Sequence, residues 1–214
     1  MAEQRARGLF ITLEGGEGSG KSTQVKRLGA RLDAAGHEVV LTREPGGSPG
    51  AEVIRELLVT GDPDRWDGMT EALLMFAARR DHVQRVIKPA LGGGKIVISD
   101  RFADSSMAYQ GYGHGLGRET IEQLYATTLG DFRPDLTFIF DLPVDEGLKR
   151  ANARGGNRFE GMDVAFHHRL RDGFLYIAKL EPERCHIIDA SGTEDQVEDR
   201  LSAIVLKAIE AGSG

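Results

Sequence analysis

Gly15-Gly16-Glu17-Gly18-Ser19-Gly20-Lys21-Ser22 is the stretch on which the fold turns. It fits G-x-x-x-x-G-K-[ST], the pattern of a phosphate-binding P-loop. The context agrees, because Leu9–Leu13 is an apolar run of strand length and Thr23–Ala35 reads as a helix. Such a loop needs glycine: backbone N–H groups close on a polyphosphate, and side chains would block the approach. The helix that follows turns its positive end toward the same phosphates. Lys21 is expected to reach the β and γ phosphates, and the Ser22 hydroxyl to ligate Mg²⁺. With Thr23 added, these residues make up the expected ATP-binding segment. Glu17 is the odd member, since a carboxylate repels a triphosphate. It either accepts a hydroxyl from a second substrate, pairs with an arginine there, or faces solvent.

Outward from the loop, the chain has 214 residues, enough for one α/β domain spanning 1–214. A net charge of −6 argues against general nucleic-acid binding, so local arginine clusters stand out. One cysteine, Cys185, rules out an internal disulfide and a CxxC metal site. It begins an apolar run and reads as a small buried hydrophobe. The polar start, Met1–Arg7, and the short apolar run after it fit neither a secretory signal nor a membrane span, so a cytoplasmic location is expected.

Five apolar runs read as strands: Leu9–Leu13, Glu38–Leu41, Lys95–Ser99, Leu136–Phe140 and His186–Ile188. They do not alternate, which suits strands covered on both faces of a parallel sheet. Helical patterns separate them and predict right-handed βαβ crossovers. Four of the runs lead into an acid, Glu14, Asp100, Asp141 or Asp189. Polar groups at the carboxyl ends of parallel strands mark the ligand edge of such a sheet.

Along that edge the candidates accumulate. Thr42-Arg43-Glu44-Pro45-Gly46-Gly47 is a turn with an arginine suited to an anion, and Pro49 opens a helix. In that helix Val53, Ile54, Leu57 and Leu58 make the expected buried face, with Arg55 opposite. A long helix from about Met69 to Pro89 is expected to bury Leu73, Leu74, Ala77 and Val86. Phe76 and Arg80 share a face at i, i+4, with Arg79 adjacent; on pattern alone they read as a core phenylalanine with solvated arginines, or else together they could hold a nucleobase. Asp100 ends a strand as a second Mg²⁺ ligand, and Arg101 extends toward a further phosphate. Ser105, Ser106, Tyr109 and Gln110 have the inventory to read a base and pack on a sugar. Gly111–Gly117 reads as a mobile loop. Arg150, Arg154 and Arg158, broken by Gly155-Gly156-Asn157, read as a hinged basic lid over about 150–162. Closure of such a lid excludes water and brings charge to a transferring phosphoryl group.

The guanine-reading N-K-x-D motif is absent from the sequence, which disfavours a GTPase switch. In-line phosphoryl transfer to a small phosphorylated acceptor fits better. A phosphate acceptor is already anionic, so no general base is required. The alternatives are a kinase for another nucleotide or a deoxynucleoside, and a P-loop switch protein.

The chain resembles the bacterial thymidylate kinases, a branch of the nucleoside monophosphate kinases. The likeness rests on the P-loop with its acid Glu17, Thr42-Arg43-Glu44-Pro45-Gly46-Gly47, Phe76-Ala-Ala-Arg79-Arg80-Asp81-His82, Asp100-Arg101-Phe102, Ala108-Tyr109-Gln110-Gly111, Gly130-Asp131-Phe132-Arg133-Pro134-Asp135 and Arg158-Phe159-Glu160. It implies a three-layer P-loop NTPase fold with a parallel sheet in the order 2-3-1-4-5, a homodimer, and transfer from Mg²⁺-ATP to dTMP. It further implies that Glu17 meets the deoxyribose 3′-hydroxyl and that Arg43, Arg55 and Arg101 surround the dTMP phosphate, beside Pro45. Phe76 would stack on thymine while Arg79 or Arg80 bonds the base. Ser105, Ser106 and Gln110 would lie near the base, and Tyr109 would disfavour ribose. Lys21, Arg101, Arg154 and Arg158 would stabilise the transferring group. The family's stacking residue precedes its base-binding arginine by four; here that pairs Met75 with Arg79 and Phe76 with Arg80. A one-residue slip rotates a helical side chain by about 100°, so the two pairs face different ways.

Overall fold

Five strands pair in parallel: β1 (Phe10–Gly15), β2 (Val39–Arg43), β3 (Ile96–Asp100), β4 (Leu136–Asp141) and β5 (Cys185–Asp189). Their spatial order is β2-β3-β1-β4-β5, as expected from the sequence resemblance. The computed structural model describes residues 8–62, 64–153 and 158–212. Within them α1 (Lys21–Ala34), α2 (Pro49–Val59), α3 (Gly68–His82), α4 (Lys88–Gly92), α5 (Ala103–Ser106), α6 (Arg118–Leu129), α7 (Val144–Asn152), α8 (Val164–Leu180) and α9 (Glu194–Gly212) flank the sheet. No helix among the described residues is long and apolar enough to cross a membrane.

The inner strands β1, β3 and β4 are buried on both faces, whereas the edge strands β2 and β5 leave Leu41 and Ile187 exposed, and the two faces differ. Ile11, Leu13, Ile96, Ile98, Phe138 and Phe140 join Val25, Leu28 and Leu32 of α1 and Val197, Leu201 and Val205 of α9 in one apolar layer. The alternate residues Phe10, Val97 and Ile139 face the other helices. That second face also buries Thr12, Glu14, Ser99 and Thr137. Thr12 and Thr137 satisfy each other across β1 and β4, Oγ1 to Oγ1 at 2.8 Å. Polar groups thus lead along this face toward the carboxyl edge.

Local chemistry sets the helix ends. Ser48 caps α2, its Oγ accepting from the Ala51 N–H, and Pro49 occupies the first turn where a missing N–H costs nothing. Asp67 caps α3 by accepting from the N–H groups of Met69 and Thr70 at 2.9 and 3.0 Å. Helix α3 continues through a wide turn, Val83–Ile87, into α4.

Two expected buried faces are corrected. In α2, Ala51 and Leu58 are buried, whereas Val53 and Leu57 are exposed. In α3 the buried stripe is Ala72, Phe76, Arg79 and Val83; Leu73 and Ala77 are exposed, and Leu74 and Val86 only half-buried. Counting apolar residues misplaced the stripe because α3 turns Glu71, Arg79 and His82 inward. Gly111–Gly117 also departs from a simple loop. Met107–Gly113 forms a second wide helical turn, and a Cβ at Gly113 would lie 2.6 Å from the Phe166 ring.

Candidate active site

The P-loop leaves β1 at Gly15 and enters α1 after Gly20, which takes φ 90°. Gly18 carries φ 67°, and a Cβ there would fall 2.0 Å from the Gly147 carbonyl oxygen in α7. Only glycine allows this approach, so α7 packs directly on the loop. Lys21 is folded inside, its Nζ donating to the Gly16 carbonyl at 2.7 Å and to Ser19 Oγ at 3.1 Å. Burial, reinforced by the neighbouring Arg101 charge, pushes its pKa down to about 8. Ser22 Oγ donates to Asp100 Oδ2 at the end of β3, which brings two side-chain oxygens together beside the loop.

Arg101 follows Asp100 with φ 72°, a left-handed conformation that costs a non-glycine residue about 1–3 kcal/mol. The turn aims its side chain back at the P-loop. Nη1 donates to the Gly15 carbonyl at 2.9 Å and Ser105 Oγ at 3.1 Å, and Nη2 to Glu17 Oε1 at 3.1 Å. Glu17 also accepts the Tyr109 hydroxyl at 2.5 Å. Burial would raise the Glu17 pKa, but Arg101 and Lys21 outweigh it and hold the carboxyl below its usual range. Of the roles open for Glu17, pairing with an arginine is therefore realised in the structure. Beneath this cluster Glu14 accepts from the Phe102 N–H at 2.7 Å and Ser105 Oγ at 2.5 Å.

A cavity of about 280 Å³ runs past these groups. Its lining includes Glu17 to Ser22 of the P-loop together with Arg43, Pro45, Arg55, Asp100, Arg101, Ser105, Ser106, Tyr109 and Gln110. Arg55 Nη1 donates to the Pro45 carbonyl at 2.6 Å, and Arg43 Nη2 lies 3.1 Å from Glu52 Oε2. Gly15, Gly16 and Thr23 lie outside that lining.

The two arginines of α3 part company. Arg79 lines the cavity and is almost fully buried, while Arg80 points to the surface and donates to the Thr128 carbonyl at 2.9 Å. Arg79 is fixed by Glu44 Oε2 at 2.6 Å, Ser106 Oγ at 3.0 Å and the Phe102 carbonyl at 3.0 Å. Glu44 Oε1 lies 3.0 Å from His82 Nδ1, and His82 Nε2 lies 2.6 Å from Thr42 Oγ1. A buried chain from Thr42 to Ser106 thus holds the guanidinium still. Met75, one turn before Arg79, lines the cavity as well. Phe76 does not: it is a core residue, edge-on to Tyr125 with ring centroids 6.4 Å apart. Neither Phe76 nor Arg80 reaches the cavity lining as expected: the Phe76 ring lies behind Arg79, its centroid 4.8 Å from the guanidinium carbon, and Arg80 turns to the surface.

The basic lid is only partly described. Arg154 lies outside the described residues. Arg150 is paired with Glu146. Arg158 is buried away from the cavity lining, with Nη2 on Glu71 Oε2 and Nε on the Leu58 carbonyl at 3.0 Å. Its neighbours Phe159 and Glu160 do line the cavity. Sequence reasoning gave no role to His82 or Glu71, named Glu44 only within its turn, and carried Met75 as the partner of Arg79. Glu44 could have been suspected from its place in Thr42-Arg43-Glu44-Pro45; Glu71 carries no local signal. Cys185 is buried as expected, its thiol pushed up to about 12 first by burial.

Comparison with known proteins follows the same lines. The thymidylate kinase family profile matches residues 13–201. A thymidylate kinase of Caulobacter vibrioides is 57% identical over 203 residues, covering 94% of this chain and 98% of that protein. One from Ruegeria pomeroyi is 52% identical over 201 residues, covering 93% and 95%. The crystal structure of thymidylate kinase from Ehrlichia chaffeensis superposes with a TM-score of 0.78 at 39% identity, covering 93% of this chain and 99% of that one.

Proposed function

The chain belongs to the thymidylate kinase family, and on that premise we propose that it transfers the γ-phosphoryl group of ATP to dTMP, yielding ADP and dTDP for dTTP synthesis. The observation that carries this reading is one cavity lined by both a P-loop and a second set of cationic and base-reading side chains. ATP phosphates fit the loop, with Lys21 turning from Gly16 and Ser19 to the β and γ oxygens. The dTMP phosphate fits among Arg43, Arg55 and Arg101. Glu17 holds Arg101 and Tyr109 in place and faces the sugar. Met75 and Arg79 meet the base. The acceptor oxygen is anionic at neutral pH, so the chain's work is alignment and charge neutralisation.

Ser22 and Asp100 are adjacent hard oxygen donors at the loop and fit Mg²⁺. When bound, Mg²⁺ neutralises phosphate charge as the γ group moves. The segment 150–162 acts as a lid on this single domain, bringing Arg154 over the phosphates while Arg158 anchors its far end on Glu71. We take the enzyme to be cytoplasmic and a homodimer. Val53 of α2 is 66% exposed and Leu73 of α3 52%, and with Leu57 and Met69 they form an apolar surface suited to a second copy. Light scattering of the wild type and Val53→Asp tests this; a monomeric wild type refutes it.

ADP release by the purified protein with Mg²⁺-ATP, adding dTMP, dUMP, dCMP, dGMP or thymidine singly, tests the activity. Strong release with dTMP supports the reading, and release with none of them overturns it. In the same assay Lys21→Ala lowers kcat by roughly 10²–10³-fold. Arg101→Ala chiefly raises the KM for dTMP, and an unchanged KM would remove that assignment.

A further inference from the structure

Glu71 is buried in the first turn of α3 and is not part of the cavity lining. Its two oxygens nevertheless hold one residue that lines the cavity, Gln110, together with His114 and Arg158, which do not. Oε1 accepts from Gln110 Nε2 at 2.7 Å and lies 3.3 Å from His114 Nε2, while Oε2 takes Arg158 Nη2. Burial would raise its pKa, but His114, Arg158 and Gln110 outweigh burial and hold the carboxyl below the usual range. An ionised carboxylate can only accept hydrogen bonds. The end of the Gln110 carboxamide that meets it must therefore be the NH₂ end.

This leaves the other end of Gln110. Its Oε1 is buried and has no hydrogen-bond partner among the described residues, and Gln110 lines the cavity. A buried carbonyl oxygen in that position calls for a donor from a ligand. Arg79 lines the same cavity and can only donate. A base that satisfies both must offer an N–H to Gln110 and an acceptor to Arg79. A 4-oxopyrimidine does so with N3–H and O4. A 4-aminopyrimidine presents the opposite pattern, an unprotonated N3 and an amino group.

We propose that Glu71 is a positioning residue that fixes the Gln110 carboxamide with its oxygen toward the base, so that 4-oxopyrimidine nucleotides are accepted and 4-aminopyrimidine nucleotides refused. The inference rests on the proposed dTMP activity and assigns its base selectivity to a residue that never touches the substrate. Replacing Glu71 by glutamine keeps the shape but supplies an NH₂, which allows Gln110 to turn over and present its own NH₂ to the cavity.

The test compares kcat/KM for dTMP and dCMP in the wild type and in Glu71→Gln, by Mg²⁺-ATP-dependent ADP release. The expected result is a fall in the dTMP-to-dCMP ratio of about tenfold or more, with dTMP losing and dCMP gaining. A parallel fall for both nucleotides at constant ratio reduces Glu71 to an anchor for Arg158 and overturns the proposal. A second measurement on the wild type does not depend on how the variant folds. The Gln110 side-chain NH₂ signals in ¹⁵N NMR, assigned by their loss in Gln110→Met, should stay protected from exchange before and after dTMP is added. Loss of that protection on binding means that the amide faces the base and overturns the proposal. A wild type without dTMP-dependent ADP release defeats the activity itself rather than this assignment.

Discussion

Arg79 and Arg184 both sit against the polar face of the sheet, Arg79 buried and Arg184 partly exposed, and they are held in different ways. Arg184 is closed. Its Nε donates to Glu181, its Nη1 to both Asp104 and Thr137, and its Nη2 to the second Asp104 oxygen, all within 2.7–2.8 Å. Burial opposes its charge, but the bidentate Asp104 outweighs burial and raises its pKa. Arg79 is open. Glu44, Ser106 and Phe102 each take one hydrogen bond, and the guanidinium borders the cavity. A guanidinium tied at four of its five N–H groups supports the fold; one tied at three beside a cavity keeps donors for a ligand.

That contrast can be broken by experiment. Arg184→Met leaves the buried Asp104 of α5 without its partner and is expected to cost about 3–5 kcal/mol in urea unfolding. The KM for dTMP of the folded protein should stay at the wild-type value, and a changed KM would erase the distinction. Arg79→Met should lower kcat/KM for dTMP by roughly a hundredfold. Its cost in urea should be smaller than that of Arg184→Met, because His82 remains on Glu44. Activity near wild type would show that Arg79 is structural as well.

Glu14 sits where the two networks meet. It holds the Phe102 N–H, whose own carbonyl serves Arg79, and it neighbours Asp104. Burial first, then the Asp104 charge, raises its pKa from 4.5 to about 7. The stability it contributes is complete below pH 4.5 and is lost as pH climbs through 7. Relative to Glu14→Gln, the wild type should therefore lose roughly 2–3 kcal/mol between pH 5 and pH 8, read from urea midpoints. A constant difference would mean that Glu14 ionises normally. The smallest effect concerns Lys21, whose lowered pKa of about 8 leaves part of it neutral above that pH. ATP phosphates favour its charged form, so binding at pH 8.5 should take up a fraction of a proton, and the KM for ATP should rise with pH. Calorimetry in two buffers of different ionisation enthalpy measures the uptake. Its persistence in Lys21→Arg would assign the proton elsewhere.

Much of the architecture was legible along the chain. The P-loop, the five strands and the acids at their ends follow from local patterns of composition and periodicity. The α2 and α3 faces were not, because Val53, Leu57 and Leu73 look outward and α3 turns Glu71, Arg79 and His82 inward. Phe76 and Met75 differ by one position, and no count along the helix could choose between them. The choice depends on which side of α3 meets α6 and which meets the cavity.

The sequence alone determined the parts whose physics is local: glycines that must bring backbone to phosphate, a lysine and serine at fixed spacing, and strands whose uninterrupted hydrophobicity demands cover on both faces. The tertiary structure alone decided which charges meet. Arg101 reaches Glu17 across 84 positions, Arg158 reaches Glu71 across 87, and Arg79 reaches Glu44 across 35. Such pairs have no signature in the chain because an arginine's identity says that it will donate, not to whom. Their partners are chosen when the sheet order and the helix rotations bring distant segments to one edge, where burial leaves each charge few groups to meet.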